Sequence, residues 1–351
     1  MMKNPIKIKD IAALANVSAG TVDRVLHNRG DVSEVTRKKV LGIIDELGYK
    51  TNIIAKTLAL KKKIVFSVLI PSEDEYSSYW KKPLPGIKKA AQEYSKYGVT
   101  VNTYLYNLNN KQSFKEKSET LLKEPPDGVV VAPVFKKEAL DLVSELKKRN
   151  IPYVFLDTNL ETETGHIGYI GHDSYQSGKV AAKLIDTRIR NTDNILLINL
   201  SANPDNQNHL SQRSAGFRDF FSKKERMGSL LEIDINKLEP KYIKEKMKSI
   251  FHSINNIRAI FVTSSKSHIV AKYLYKNDLH HKIVLTGYDL TDQNIEYLNN
   301  DTIDYLISQN PETQGFNSVQ TLFQAIVLNE TPDKNTFLPI DIVIKENLMY
   351  C

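Results

Sequence analysis

A chain of 351 residues that is 41% hydrophobic and 25% charged has the composition of an ordinary globular protein and the length of two domains, which excludes disorder as its main state. No apolar run approaches the roughly 18 residues of a membrane helix, and the single cysteine, Cys351, excludes an intramolecular disulfide and a cysteine metal cluster. The net charge of +7 sits in one place: residues 1–63 hold 13 Lys and Arg against 6 Asp and Glu, and the other 288 residues balance at 35 of each. Such an asymmetry is the electrostatic footprint of a nucleic-acid-binding segment joined to a neutral body. The first thirty residues carry charges and no apolar targeting stretch, so the expectation is a cytoplasmic, nucleoid-associated protein.

Ile8, Ile11, Ala12, Leu14 and Ala15 fall on helical spacing that breaks at Asn16-Val17 and restarts at Ser18. Asn16 tolerates the left-handed conformation of a tight turn, and Ser18 can cap a second helix whose Val22, Val25 and Leu26 face inward. This is helix-turn-helix spacing. A third helix starts after Ser33 as N-cap and runs to Gly48, which gives a minimal core of Leu14, Val17, Val22, Val25, Val40 and Ile44.

From Ile64 the pattern changes. Ile64–Ile70, Val99–Tyr106, Gly128–Ala132, Tyr153–Leu156, Ile195–Leu200, Ala259–Val262 and Ile283–Leu285 read as buried strands alternating with amphipathic helices, the signature of parallel α/β sheets. Two such series in more than 280 residues predict two lobes. Polar residues follow the strands: Ser72-Glu73, Asn107, Asp157, Ser201, Ser264-Ser265, Asp289 and Gln309. Ligands of open α/β sheets bind outside the carboxyl ends of the strands, so these residues are expected to face one crevice. Tyr79 and Trp80, after the first strand, are suited to stack on a sugar ring or planar ligand.

Catalytic patterns are missing. His172-Asp173 and His280-His281 lack a third partner at metal-ligand spacing, and Gly165, Gly168 and Gly171 recur every third residue, which fits turn and strand entry rather than a phosphate loop. Neither G-x-S-x-G nor a P-loop lysine occurs, so no metal, cofactor or enzymatic activity is expected.

The ordered residues Ile8-Lys9-Asp10-Ile11-Ala12, Ala15-Asn16-Val17-Ser18, Thr21-Val22, Arg24-Val25-Leu26, Val32-Ser33, Thr36-Arg37 and Glu46-Leu47-Gly48-Tyr49 resemble the headpiece of the lactose-repressor (LacI/GalR) family. Asn52 to Ala59 is similar to that family's hinge helix. The resemblance implies that Ser18, Ala19, Gly20, Thr21, Arg24, His27, Arg29, Ser33, Thr36, Asn52, Ala55 and Leu58 meet DNA. Arg24, with His27 and Arg29, would read bases, while Thr21, Ser33, Thr36 and Asn52 position the backbone and Leu58 wedges into the minor groove. Ala19 and Gly20 stand where the family usually selects base sequence, and neither offers a side-chain hydrogen bond. Two further departures are Lys7, where a Thr or Ser usually caps the first helix, and Asp23, whose carboxylate would repel phosphate unless paired.

Over the rest of the chain, Gln212-Arg213-Ser214-Ala215-Gly216-Phe217, Thr286-Gly287-Tyr288-Asp289 and Gln309 to Gly315 resemble the family's effector domain, a periplasmic-binding-protein-like pair of lobes. By that resemblance Tyr79, Trp80, Asp157, Arg213, Ser264, Asp289 and Gln309 are the candidate effector-binding residues. Ser264-Ser265 replaces the family's usual Asn-Asp pair. Carboxylates and a guanidinium in one cleft suit a polyol, because both make charge-assisted hydrogen bonds to hydroxyls.

The fold class expected is α/β: a small all-α headpiece (1–50), a hinge helix and linker (51–63) and a two-lobed body (64–351). The first lobe would take residues 64–170 and 311–336 and the second 171–310 and 337–351. The function expected is a homodimeric DNA-binding regulator, a repressor, that binds a near-palindromic double-stranded operator under control of a sugar or sugar derivative, with no membrane partner. The alternatives are a sugar-binding transport or chemotaxis protein, which needs a signal peptide and no basic headpiece, and a cleft hydrolase.

Overall fold

The structure, a computed structural model, describes residues 6–26, 30–47, 63–76, 78–160, 164–201 and 208–351. The chain divides into two units, residues 1–60 and 61–351.

The first unit is built from helices α1 (Ile8–Ala15), α2 (Ala19–Leu26) and α3 (Glu34–Leu47). Asn16 ends α1 in the left-handed conformation, with φ 54° and ψ 48°, which opens the tight turn. Ser18 Oγ accepts from the Thr21 amide at 3.0 Å, and Ser33 Oγ accepts from the Thr36 amide at 3.3 Å, so both serines cap as their spacing predicts. Lys7 cannot accept in this way. Its own amide instead donates to Asp10 Oδ2 at 2.7 Å, leaving one half of a capping box to start α1. Ile11, Ala12, Ala15, Val22, Val25 and Val40 form the core, with Val17 and Ile44 partly buried against it. Leu14 is a correction: it is 59% exposed, because residues 8, 11, 12 and 15 make one face of α1 and Leu14 lies off that face.

The second unit holds two six-stranded sheets. One contains β1 (Ile64–Pro71), β2 (Val99–Tyr106), β3 (Gly128–Val131), β4 (Tyr153–Asp157), β5 (Gly168–Gly171) and β11 (Asn335–Phe337), in the order β11-β5-β4-β3-β1-β2 and parallel throughout. The other contains β6 (Asn194–Leu200), β7 (Leu230–Ile235), β8 (Ile257–Val262), β9 (Val284–Tyr288), β10 (Tyr305–Ser308) and β12 (Asp341–Val343), in the order β12-β10-β9-β8-β6-β7, with β12 alone antiparallel. Helices cover both faces, which is why central strands such as β3 and β4 are buried at every residue and read as unbroken apolar runs.

Three connections cross between the sheets: α7 (Ser174–Asp186) leads from β5 to β6, α12 (Pro311–Phe323) leads back from β10 toward β11, and a short link joins β11 to β12. In the second lobe α7 packs on α8 (Asn208–Ser222) through facing glycines. A Cβ at Gly178 would stand 2.1 Å from the Arg213 carbonyl oxygen, and one at Gly216 would stand 1.9 Å from that of Tyr175. Only glycine permits this approach, and it fixes the height of the helix that carries Arg213.

Candidate functional site

A cavity of about 60 Å³ lies between the lobes, with room for about two waters at roughly 30 Å³ each. Tyr79, Trp80, Asp157, Arg213, Ser264, Asp289 and Gln309 all line it. A recess of about 1100 Å³ adjoins it through Tyr79 and Asp289, and another of about 260 Å³ through Asp157 and His209.

On the first-lobe side, a 3-10 turn (Tyr79–Lys81) sets the Tyr79 hydroxyl to donate to the Asp157 carboxylate. Trp80 meets the Tyr79 ring edge-on at 5.3 Å. Asp157 leaves β4 in the left-handed region, φ 66°, and accepts a second hydrogen bond from the Thr158 hydroxyl at 3.3 Å.

The second lobe contributes a connected relay. Arg213 Nη1 donates to the Thr263 carbonyl at 2.7 Å, Nη2 donates to Gln309 Oε1 at 2.7 Å, and the guanidinium lies 3.7 Å from the centre of the Tyr288 ring. Gln309 Nε2 in turn donates to both oxygens of Asp289, at 2.9 and 3.1 Å. Arginine and aspartate therefore share the cleft through an amide bridge, which leaves the aspartate oxygens with lone pairs for other donors. Burial pushes the Asp289 carboxyl up to about 7 against the opposing pull of Arg213. Asp157 is raised for the same reason, and Tyr79 rises well above the ordinary phenol value through burial and the neighbouring carboxylates.

In the helical unit, Val22 and Val25 turn inward from α2, and Ala19, Gly20 and Arg24 are exposed. Ser18 and Ser33 are exposed at their caps, and the hydroxyls of Thr21 and Thr36 each lie 2.9 Å from the serine that caps their helix. A flat, small-residue start to α2 followed by an exposed arginine one turn on is a surface able to approach a groove closely. His27, Arg29, Asn52, Ala55, Leu58 and the expected hinge helix lie outside the described residues.

Residues 7–52 match the family model of bacterial regulatory proteins of the lacI family, and residues 66–330 match that of the periplasmic binding protein domain. The chain belongs to the periplasmic binding protein domain family, with a lacI-family DNA-binding domain ahead of it. Among curated relatives, the HTH-type transcriptional regulator RegA of Clostridium saccharobutylicum is 35% identical over 151 residues, 41% of this chain and 42% of that protein. The chain spans about half the length of the curated relatives it matches. A structure ascribed to the LacI transcriptional regulators, from Bacteroides fragilis, covers 83% of this chain and 100% of its own at 28% identity with a TM-score of 0.74. GanP, a glucose-galactose binding protein from Geobacillus stearothermophilus, shares the fold at 23% identity, TM-score 0.72, over 82% of this chain and 99% of its own.

Sequence reasoning placed seven of the cavity residues but missed two neighbours, Lys266 and His209. His209 stands four residues before Arg213 on α8, a helical spacing that was legible, and Lys266 directly follows the strand-end serines. Burial lowers both: His209 well below the ordinary imidazole value, with Arg213 and Lys266 adding to the shift, and Lys266 below the ordinary ammonium value. Three strand-end residues expected in the crevice are absent from its lining. The Ser72 hydroxyl donates to the Tyr106 carbonyl at 3.3 Å, Glu73 pairs with Lys81 at 2.6 Å, and Asn107 Oδ1 accepts from the Asn109 amide at 2.8 Å. The histidine pair needs correction too, because the turn before β9 brings Asp278, His280 and His281 together with ligand atoms within 4.8 Å of one another.

Proposed function

We propose that this chain is a sequence-specific DNA-binding transcriptional regulator, a repressor, whose operator affinity is set by a sugar or sugar derivative bound between the lobes. The observation that carries the reading is the helix-turn-helix unit itself: its α2 exposes Ala19, Gly20 and Arg24, within the 63 residues that hold the entire +7 charge excess. Phosphate contacts from such a segment supply affinity, and base-edge contacts from α2 supply sequence preference.

In this reading the headpiece spans residues 1–50, the hinge 51–63 and the body 64–351. Two copies about a two-fold axis present two α2 helices to a near-palindromic operator at the nucleoid. The curated relatives are named as regulators, and the cleft is read as a sensor rather than an active site. Carboxylates held by hydroxyl and amide donors, beside a guanidinium stacked on an aromatic face, form a receptor for a hydroxylated ligand. Because the cavity holds little more than two waters, the lobes part to admit such a ligand.

The test is selection of bound duplexes from a random-sequence DNA pool by the full chain and by residues 64–351. The full chain should enrich a near-palindrome and the shortened chain nothing. Enrichment of the same sequence by the shortened chain would overturn the headpiece assignment.

A further inference from the structure

Among the described residues, the cavity leaves polar groups of the second lobe without a partner. Lys266, just before α10 (Ser267–Lys276), is only 9% exposed, and its ammonium makes neither a hydrogen bond nor an ion pair among the described residues. Ser264 Oγ and His209 Nδ1 are buried there and equally unpaired. An ammonium on a largely buried side chain is costly without acceptors, which its N–H groups need because it can only donate.

The described carboxylates of the cleft are engaged elsewhere. Asp157 accepts from Tyr79 and Thr158, and Asp289 accepts twice from Gln309. Asp289 and Asp74 act on Lys266 at a distance, yet neither forms an ion pair with it. Arg213, the other cation, is engaged through both Nη atoms by the Thr263 carbonyl and Gln309 and stacks on the Tyr288 ring, which leaves its buried Nε to donate. The cleft thus supplies acceptors for ligand hydroxyls on one side and an unanswered positive charge on the other.

We propose that the effector is an anionic polyol, a sugar acid or sugar phosphate, whose carboxylate or phosphate oxygens seat on Lys266 and the Ser264 hydroxyl. Asp157, Asp289 and Arg213 take its hydroxyls. The proposal rests on the reading of this cleft as the effector site. Low local dielectric strengthens the new charge pair, and a neutral sugar leaves the ammonium answered only by dipoles.

The experiment uses the full chain and matched probes: D-glucose, D-glucuronate and D-glucose 6-phosphate, then the galactose trio, with thermal shift as screen and calorimetry for Kd. In at least one trio an acidic member should bind ten-fold or more tightly than its neutral parent, and the uronate and phosphate arms tell which anion it is. Lys266→Met should erase that preference, and Lys266→Arg should keep it. Melting of the ligand-free variants reads their folding. Equal binding of neutral and acidic members, or a preference that survives Lys266→Met, overturns the proposal. An acidic probe whose binding is indifferent to Arg213→Ala lies outside the cleft, which overturns the cleft reading itself. A panel that leaves the parent unshifted overturns both.

Discussion

Asp289 shows how burial turns a single side chain into a pH-dependent element. Its carboxyl is held up to about 7, first by burial and against Arg213, whereas in the unfolded chain it ionises near the ordinary aspartate value. Between those two values the native state binds the extra proton, so this group's contribution to stability falls as pH rises toward 7 and is fully unfavourable above it. Asp289→Asn keeps an acceptor for Gln309 and removes the titration. Its melting temperature should therefore gain on the parent between pH 5 and pH 8 by several degrees, about 2–4 °C for each kcal/mol. A constant gap would show that this carboxyl does not titrate there. Arg24 is the residue to test in the headpiece: exposed on α2, it should cost about 1–3 kcal/mol of operator binding as Arg24→Ala and relax preference at one base position. A uniform loss across sequences would make it a phosphate contact instead. The same two residues show why function was readable at this scale. Asp289 follows an apolar strand, where open α/β sheets bind ligands, whereas Arg24 stands on the exposed side of α2 and was singled out by the resemblance of the headpiece. Lys266 escaped because a lysine after two serines looks like any solvated loop end until the fold buries it.

Among elements, most of the strands that were legible are buried on both faces; β2 was read with its bounds but as a buried strand, and it is an edge strand of mixed burial. β1, β3, β4, β6 and β8 announce themselves as apolar runs, whereas β5, with glycine at both ends, and the three-residue β11 and β12 carry no periodicity to read. β7 is an edge strand of mixed burial, Leu-Leu-Glu-Ile-Asp-Ile, and a short mixed pattern does not distinguish strand from helix. Close helix contact was equally hidden, because a glycine in a helical pattern does not say what approaches it. The contacts give a sharp contrast. Gly216→Ala places a methyl against a backbone carbonyl that cannot turn away, so it should destabilise the body by about 1–3 kcal/mol and weaken ligand binding by displacing Arg213. Gly42→Ala, in α3 with nothing within 4 Å, should stabilise the headpiece by about 0.5–1 kcal/mol through helix propensity alone. Denaturant midpoints of the separate transitions measure both, and equal effects at the two sites would refute the packing argument.

For the molecule as a whole, the segregation of charge predicts a segregation of behaviour. Operator affinity of the full chain should fall about 10³-fold between 50 and 200 mM salt if about six phosphates are contacted, and ligand binding to the body, whose charge balances, should change far less. Coupling between the two must be reciprocal: a ligand that weakens operator binding is itself bound more weakly by the DNA complex, by the same factor. Calorimetry with and without operator duplex tests that equality, and unequal factors at equilibrium would exclude a simple two-state coupling. The crossings between the lobes have one more consequence, in the order of synthesis. Helices α1 to α3 lie between residues 8 and 47 and share a core of their own, so they can fold as soon as they leave the ribosome. The first lobe must wait: Val319 and Leu322 of α12 belong to its core, and β11 closes the edge of its sheet only at residue 337. A nascent chain therefore owns a finished headpiece long before it owns a finished sensor, and translation arrested before α12 releases a folded headpiece tethered to a body that cannot close.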